Sequence, residues 1–162
     1  MHETAQLAGF VAAHGIWCVS DGETLTPLLG YEQPDGSRGM ERFVADDLAD
    51  GARAGQHALR SNQHGADRAV LVVDGYLHLD TGRTDALIVE AVDHAGGRSL
   101  TLAVPYRPRQ SPAGFAVYRP KFIEVADVAE LDQRAVAEAF FAGVESHEQA
   151  AAVWNDHLDQ SL

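Results

Sequence analysis

Hydrophobic positions recur at helical spacing near both ends of this chain and in one inner stretch, and they alternate with period two over residues 70–106. Residues 4–14 place Leu7, Phe10, Val11 and His14 on one helical stripe. Gly15 follows where a helix end often needs a left-handed residue, so a short first helix is predicted. Ile16 to Ser20 alternates as a strand, Asp21-Gly22 is a two-residue hairpin signal, and Glu23 to Tyr31 supplies the return arm. Pro27 cannot donate to a ladder, which puts that arm at a sheet edge or breaks it there. Gln33 to Gly39 has the composition of an exposed loop. After it, Met40, Phe43, Val44, Leu48, Ala52, Ala58 and Leu59 share one stripe, with Glu41, Asp46, Asp47, Asp50, Arg53 and Arg60 mostly elsewhere, and this is the main amphipathic helix. Gly51 and Gly55 would each cost such a helix up to ~1 kcal/mol, so they permit close packing on a sheet or mark a bend.

The block from Val70 to Tyr106 reads as three antiparallel strands, because its connections are too short for parallel crossovers. Taking Thr81-Gly82-Arg83 as a three-residue loop pairs Asp80 with Thr84, so that Leu77 faces Leu87 and Gly75 faces Val89. Taking His94 to Gly97 as a four-residue loop pairs Asp93 with Arg98, so that Val89 faces Leu102 and Leu87 faces Val104. Both loops then collect Leu77, Leu87, Val89, Leu100, Leu102 and Val104 on one face, with the helix from Met40 as its cover. A one-residue slip in either hairpin would transfer a whole set to the other face. A competing reading makes Asp74-Gly75 a tight turn between two short strands. The matched lengths of 71–80 and 84–93 favour one long strand, with a bulge at Gly75 as an option.

Beyond the meander, Arg107 to Gly114 holds two prolines and reads as a loop, either a site rim or a connection. Phe115 to Tyr118 and Lys121 to Val125 read as short strands around Arg119-Pro120. The C-terminal part is a helical pair. Val128, Leu131, Ala135, Val136, Ala139 and Phe140 form one stripe, and Gly143 suits a helix end. Ser146 to Gln149 matches a capping box that opens a last helix burying Ala150, Val153, Trp154, His157 and Leu158. The expected fold class is therefore α+β: an antiparallel meander packed on an amphipathic helix, with an N-terminal helix and hairpin and a C-terminal helical pair. Residues 1–162 are expected to form a single globular domain.

The same register aligns Asp74, Glu90 and Thr101 in one row of the opposite face, Tyr76, Ile88 and Ala103 in the next, and His78, Ala86 and Pro105 in a third. Two carboxylates across a strand pair repel unless solvent, a cation or a proton intervenes. A shallow depression over Ala86 and Ala103, rimmed by Tyr76 and His78, could hold a small ligand or support acid/base chemistry. The bland alternative is an exposed sheet face, and a bulge at Gly75 would abolish the Asp74 and Glu90 pairing.

Charge narrows the partners. Twenty-four Asp and Glu against twelve Lys and Arg give a formal charge of -12, which repels phosphate backbones and anionic membranes and suits a partner with a basic surface, or simply solubility. No nucleic acid and no membrane are expected. Cys18, the single cysteine, has apolar neighbours and reads as a buried structural thiol. The N-terminus lacks a signal-peptide pattern and no segment approaches ~20 apolar residues, which makes a cytoplasmic setting the expectation. Eight histidines show no metal-ligand spacing, serines at Ser20 and Ser111 sit in turns without a nucleophile elbow, and Asp35 to Gly39 lacks the Lys-Ser/Thr of a phosphate loop. No metal and no cofactor are expected, and Trp17, Phe43, Phe140, Phe141 and Trp154 read as core packing.

The leading functional expectation is an acidic binding or protein-interaction module without chemistry of its own. The alternative is a small-ligand-binding or acid/base enzyme, with Asp74 or Glu90 as base and His78 or Tyr76 as acid or orienting group. A homo-oligomer that hides the second sheet face is a further option, since Val72, Ile88 and Val92 there are apolar enough to want cover.

Overall fold

The computed structural model describes residues 1–126 and 133–162. Among these residues the chain is α+β, with four helices and a seven-stranded antiparallel sheet. The first helix, α1, runs His2–Val19, well past the predicted end at Gly15. Its residues are apolar nearly all round, from Ala5 and Ala8 to Ala12, Ile16 and Val19, and a helix without a polar face is stable only inside. Gly15 serves approach rather than termination: a Cβ there would meet Leu87 and Val72 at 3.0 and 3.3 Å. Ile16 to Ser20 is therefore helix and turn instead of a strand, and the turn at Asp21-Gly22, with Gly22 at φ +97°, follows a helix rather than joining two strands.

The hairpin comes later. Strands β1 (Leu28–Glu32) and β2 (Arg38–Arg42) pair around a tight loop, which Asp35 closes by accepting from the backbone N–H and hydroxyl of Ser37 at 2.9 and 2.6 Å. Met40 thus belongs to a strand, and the amphipathic helix α2 begins only at Leu48 and ends at Ser61. Asp47 caps it by accepting from Ala49 N–H at 2.8 Å. Of the two readings of its glycines, close packing holds. A Cβ on Gly51 would lie 2.5 Å from the Phe43 carbonyl oxygen, and one on Gly55 2.7 Å from Leu71.

The meander is β3 (Arg68–Leu79), β4 (Gly82–Asp93) and β5 (Arg98–Arg107). Strand β3 is one unbroken strand through Asp74-Gly75, with no bulge in its pairing to β4. The β4–β5 register is the predicted one, Asp93 opposite Arg98. The Asp93 carboxylate locks it by accepting from Gly96 N–H at 2.8 Å and Arg98 Nη2 at 2.7 Å. The β3–β4 register is not. The loop is Asp80-Thr81, Leu79 pairs with Gly82, which carries the positive φ (+118°), and Leu77 lies opposite Thr84 rather than Leu87. That shift is an odd number of residues, so every β3 side chain changes face. Val72, expected on the second face with Ile88 and Val92, lies opposite Val89 and is fully buried on the first.

Strand β1 extends the meander beside β3, and on the far side β6 (Ala116–Val117) and β7 (Lys121–Ala126) both pair with β5. The main core lies between the sheet face bearing Val70, Val72, Leu87, Val89, Leu100, Leu102 and Val104 and a layer of α1, α3 (Gln133–Glu145) and α4 (Glu148–Asp156). The cover of this face is thus α1, not the helix from Met40. A smaller core, of Leu29, Ala58, Leu59, Ala69 and Leu71, sits under α2 on the other face.

Helices α1 and α3 touch backbone to backbone. A Cβ on Gly9 would stand 1.8 Å from the Phe140 carbonyl oxygen, and one on Gly143 1.9 Å from that of Gln6. Gly143 is therefore a contact inside the last turn, not a helix end. Of the stripe predicted for α3, Val136, Ala139 and Phe140 are buried, while Val128 and Leu131 lie outside the described residues. The last helix buries Ala150 and Trp154, ends at Asp156 and leaves His157 and Leu158 exposed, against the expectation that it buries them. Its cap is His147 rather than Ser146, whose hydroxyl bonds the Gly143 carbonyl instead. Phe140 and Trp154 are core residues, whereas Trp17 and Phe141 are 39% and 38% exposed. Cys18 is half-buried, with Arg42 Nη2 3.7 Å from its sulfur. No described helix is long and apolar enough to cross a membrane.

Candidate functional site

The parity of β3 decides where its polar residues go. Val70 and Val72 face α1, so Asp74, Tyr76 and His78 point to the same side. Helix α1 ends at Val19 and covers only the first part of this face. Past Val72 the sheet runs on, and the segment leaving α1 crosses it. The result is a cleft of about 270 Å³ bounded by Val19 at the end of α1, by Glu23 and Thr24 after it, by Leu48 at the start of α2, by Asp74, Tyr76 and Asp85 on β3 and β4, by Tyr106 of β5, and by Pro108 and Gln110 in the loop that follows.

Asp74 is the inner group. Its Oδ1 accepts from the Tyr106 hydroxyl at 2.7 Å and its Oδ2 from the Leu25 backbone N–H at 3.4 Å. Burial pushes its carboxyl above the usual carboxylate range, opposed by the Tyr106 bond, since desolvation disfavours the charged form. Tyr106 is pushed far above its ordinary value, first by burial and then by Asp74, so its hydroxyl stays protonated and remains a donor. Asp85 lies directly opposite Tyr76 in the ladder and raises both groups through its charge. At the mouth, Tyr76 is 54% exposed and carries the Arg83 guanidinium over its ring at 3.9 Å from the centroid. The loop after β5 forms part of the rim, and Gln110 ties it across by donating to the Gly22 carbonyl at 2.6 Å.

The residues expected together are therefore divided. Asp74 and Glu90 point to opposite faces: Asp74 lies opposite Leu87, while Glu90 lies opposite Leu71 and Thr101 and accepts from Gln56 of α2 at 3.2 Å. The cause is the two-residue turn at Asp80-Thr81, not a bulge at Gly75. The rows predicted from β4 and β5, Glu90 with Thr101, Ile88 with Ala103 and Ala86 with Pro105, do form, but their β3 neighbours are Leu71, Val73 and Gly75. His78 shares the face of Asp74, yet it lies exposed opposite Arg83 and does not line the cleft. Tyr76 does.

Tyr106, Asp85, Glu23 and Gln110 went unassigned by sequence reasoning. For Tyr106 a signal existed: it shares the parity of Leu100, Leu102 and Val104, so a two-residue first turn would have set it beside Asp74. No signal of this kind points to Glu23 or Gln110, which long-range packing brings in. Among the described residues no group of three or more His, Cys, Asp and Glu side chains is arranged to hold a metal ion. No protein-family model, no curated protein and no solved structure matches this chain.

Proposed function

We propose that this protein is a binding module that receives a basic group, a lysine or arginine side chain presented by a partner, in the cleft around Asp74. The observation that carries this reading is the lining itself. Glu23, Asp74 and Asp85 line it together with Tyr76 and Tyr106, and no Lys, Arg or His is among the residues that line the cleft. Carboxylates gathered in one cleft repel, and an incoming cation relieves that repulsion while an aromatic ring stabilises it by cation–π attraction. The protein's own Arg83 already uses the exposed Tyr76 ring in this way. The formal charge of -12 adds long-range attraction toward basic surfaces and predicts binding that weakens with salt.

The test is an NMR titration of the full chain with a lysine- or arginine-containing dipeptide, against a neutral peptide of the same shape. Shifts of the Tyr76 and Tyr106 rings with the basic probe alone, lost in Asp74→Asn and weakened by salt, are the expected result. Equal response to the neutral probe, or an unaltered response in Asp74→Asn, overturns it.

A second reading rests on the 2.7 Å bond between Tyr106 and Asp74. A carboxyl shifted upward by burial beside a protonated phenol is a pairing that acid/base chemistry uses, with Asp74 as base and Tyr106 as the donor that orients its carboxyl. Of the earlier candidates, Asp74 and Tyr76 belong to this reading, and Glu90 and His78 do not.

A further inference from the structure

A second polar pair lies between α1 and the start of α4. His14 and His147 are 133 residues apart, and their Nδ1 and Nε2 atoms meet at 2.9 Å. His147 is also the cap of α4, its Nδ1 accepting from the Ala150 backbone N–H at 3.2 Å. These two contacts assign the protons. A ring nitrogen that accepts from a backbone N–H carries no hydrogen, so the His147 proton is on Nε2. It donates to His14 Nδ1, which is therefore bare, and the His14 proton is on its own Nε2.

Two neutral rings satisfy this arrangement, and a third proton has no place in it. On His14 Nδ1 it would oppose the Nε2–H of His147. On His147 Nδ1 it would oppose the Ala150 N–H and undo the cap. The surroundings supply no charge to hold an imidazolium. Phe10 and Trp17 stand beside the His147 ring at 5.0 and 5.5 Å. Arg38 and Arg42 approach from β2, and Arg42 disfavours a charged His14. Cys18 lies one turn along α1. Asp21 and Glu23 border an adjoining cavity with His14, Glu32 of β1 is engaged by Arg38 and Arg68, and Glu145 of α3 accepts from Asn155. Glu148 follows His147 at the start of α4. Among the described residues, none of these carboxylates bonds either ring. Burial lowers the pKa of both histidines, opposed at His147 by its own backbone, and for His14 the neighbouring His147 and Arg42 add to it.

We propose that the His14–His147 pair is a proton-operated latch that seats the first turn of α4 against α1 at neutral pH and releases it in mild acid. Its setting makes the release consequential. Both rings wall an apolar groove of about 440 Å³ with Leu7, Phe10, Trp17 and Met40, so unseating His147 opens the groove from one side. The rest of α4 stays anchored, through buried Trp154 and through the bonds of Val117 to His157 and Asp159.

Native-state hydrogen exchange on the full chain tests the latch. Uptake of one proton predicts that protection of the Ala150 amide falls by about tenfold per pH unit as the pH drops through the ordinary histidine range, while β4 amides such as that of Val89 keep theirs. In His147→Asn, whose side chain caps without titrating, Ala150 should hold its protection across the same range. Constant protection in the wild type, or the same loss in His147→Asn, overturns the proposal. Nitrogen-15 spectra of the wild-type rings need no variant: both Nδ1 atoms bare at neutral pH is the expected result, and a protonated His147 Nδ1 refutes the latch.

Discussion

The two faces of the sheet are covered by helices of opposite character. Helix α2 has charged residues along one side and covers a small core of Leu29, Ala58, Leu59, Ala69 and Leu71. Helix α1 is apolar on nearly every side and lies at the centre of the main core, between the sheet and α3. The strength of an amphipathic pattern thus measures how much of a helix stays in water, not how much of the fold it supports. The glycines differ one by one. Between α1 and α3, Gly9 and Gly143 bring backbone against backbone, and Gly51 of α2 meets the Phe43 carbonyl, whereas Gly55 of α2 meets the end of a leucine side chain.

The largest expected effect breaks or upholds that contrast directly. Gly9→Ala forces a Cβ onto the Phe140 carbonyl, which cannot retreat without moving α3, and should destabilise by about 3 kcal/mol or prevent folding. Gly55→Ala displaces only Leu71 Cδ1 and gains up to ~1 kcal/mol of helix propensity, so its net change should stay within about 1 kcal/mol. Urea midpoints of the two variants decide it, and comparable losses would remove the distinction. Next, Leu87→Ala under α1 should cost about 4 kcal/mol and Leu59→Ala on the buried side of α2 about 2 kcal/mol, because the thinner α2 layer relaxes into the space more readily. Equal losses in thermal melts would mean that the two layers are equally rigid.

The polar residues sharpen the contrast at smaller cost. Asp74→Asn should change stability by no more than about 1 kcal/mol at neutral pH while abolishing the response of the cleft to a basic probe. Glu90→Gln, on the α2 face, should lose little beyond its bond to Gln56 and leave that response intact. The pH dependence has two opposing parts. Asp74 is raised in the folded state, so its contribution is present in acid and is lost as pH rises from the ordinary carboxylate value through the folded one. His14 and His147 are lowered, so theirs is present above the ordinary histidine range and is lost as pH falls through it toward the folded values. Asp74→Asn should remove the first trend from melts across pH and leave the second, and loss of both would contradict their independence. Arg83→Gln, which removes an exposed guanidinium from the Tyr76 ring, should cost at most about 0.5 kcal/mol.

Much of the meander was legible because its restraints are local. Asp93, Gly97 and Arg98 set the β4–β5 register within one loop, and the alternation from Leu87 to Val104 named the buried side of both strands. The first hairpin failed for an equally local reason. Thr81-Gly82-Arg83 and Asp80-Thr81 both leave Gly82 free to take its positive φ, yet they differ by an odd number of residues in register. The error carried Asp74 across the sheet and substituted Glu90 for Tyr106 as its neighbour. Helix α1 was cut short because Ile16, Cys18 and Ser20 read as alternation, and only burial of Ile16 and Val19 against the sheet settles them as helix.

Sequence alone determined the class of the fold, the long strands, the second hairpin and the helical pair, because turn chemistry and hydrophobic period act between residues close in the chain. The tertiary structure decided which helix covers which face, and it assembled both polar pairs, Asp74 with Tyr106 and His14 with His147. Those pairs depend on strand parity and on contacts across 32 and 133 residues. No local pattern encodes such distances, and only the packed core brings them within hydrogen-bond reach.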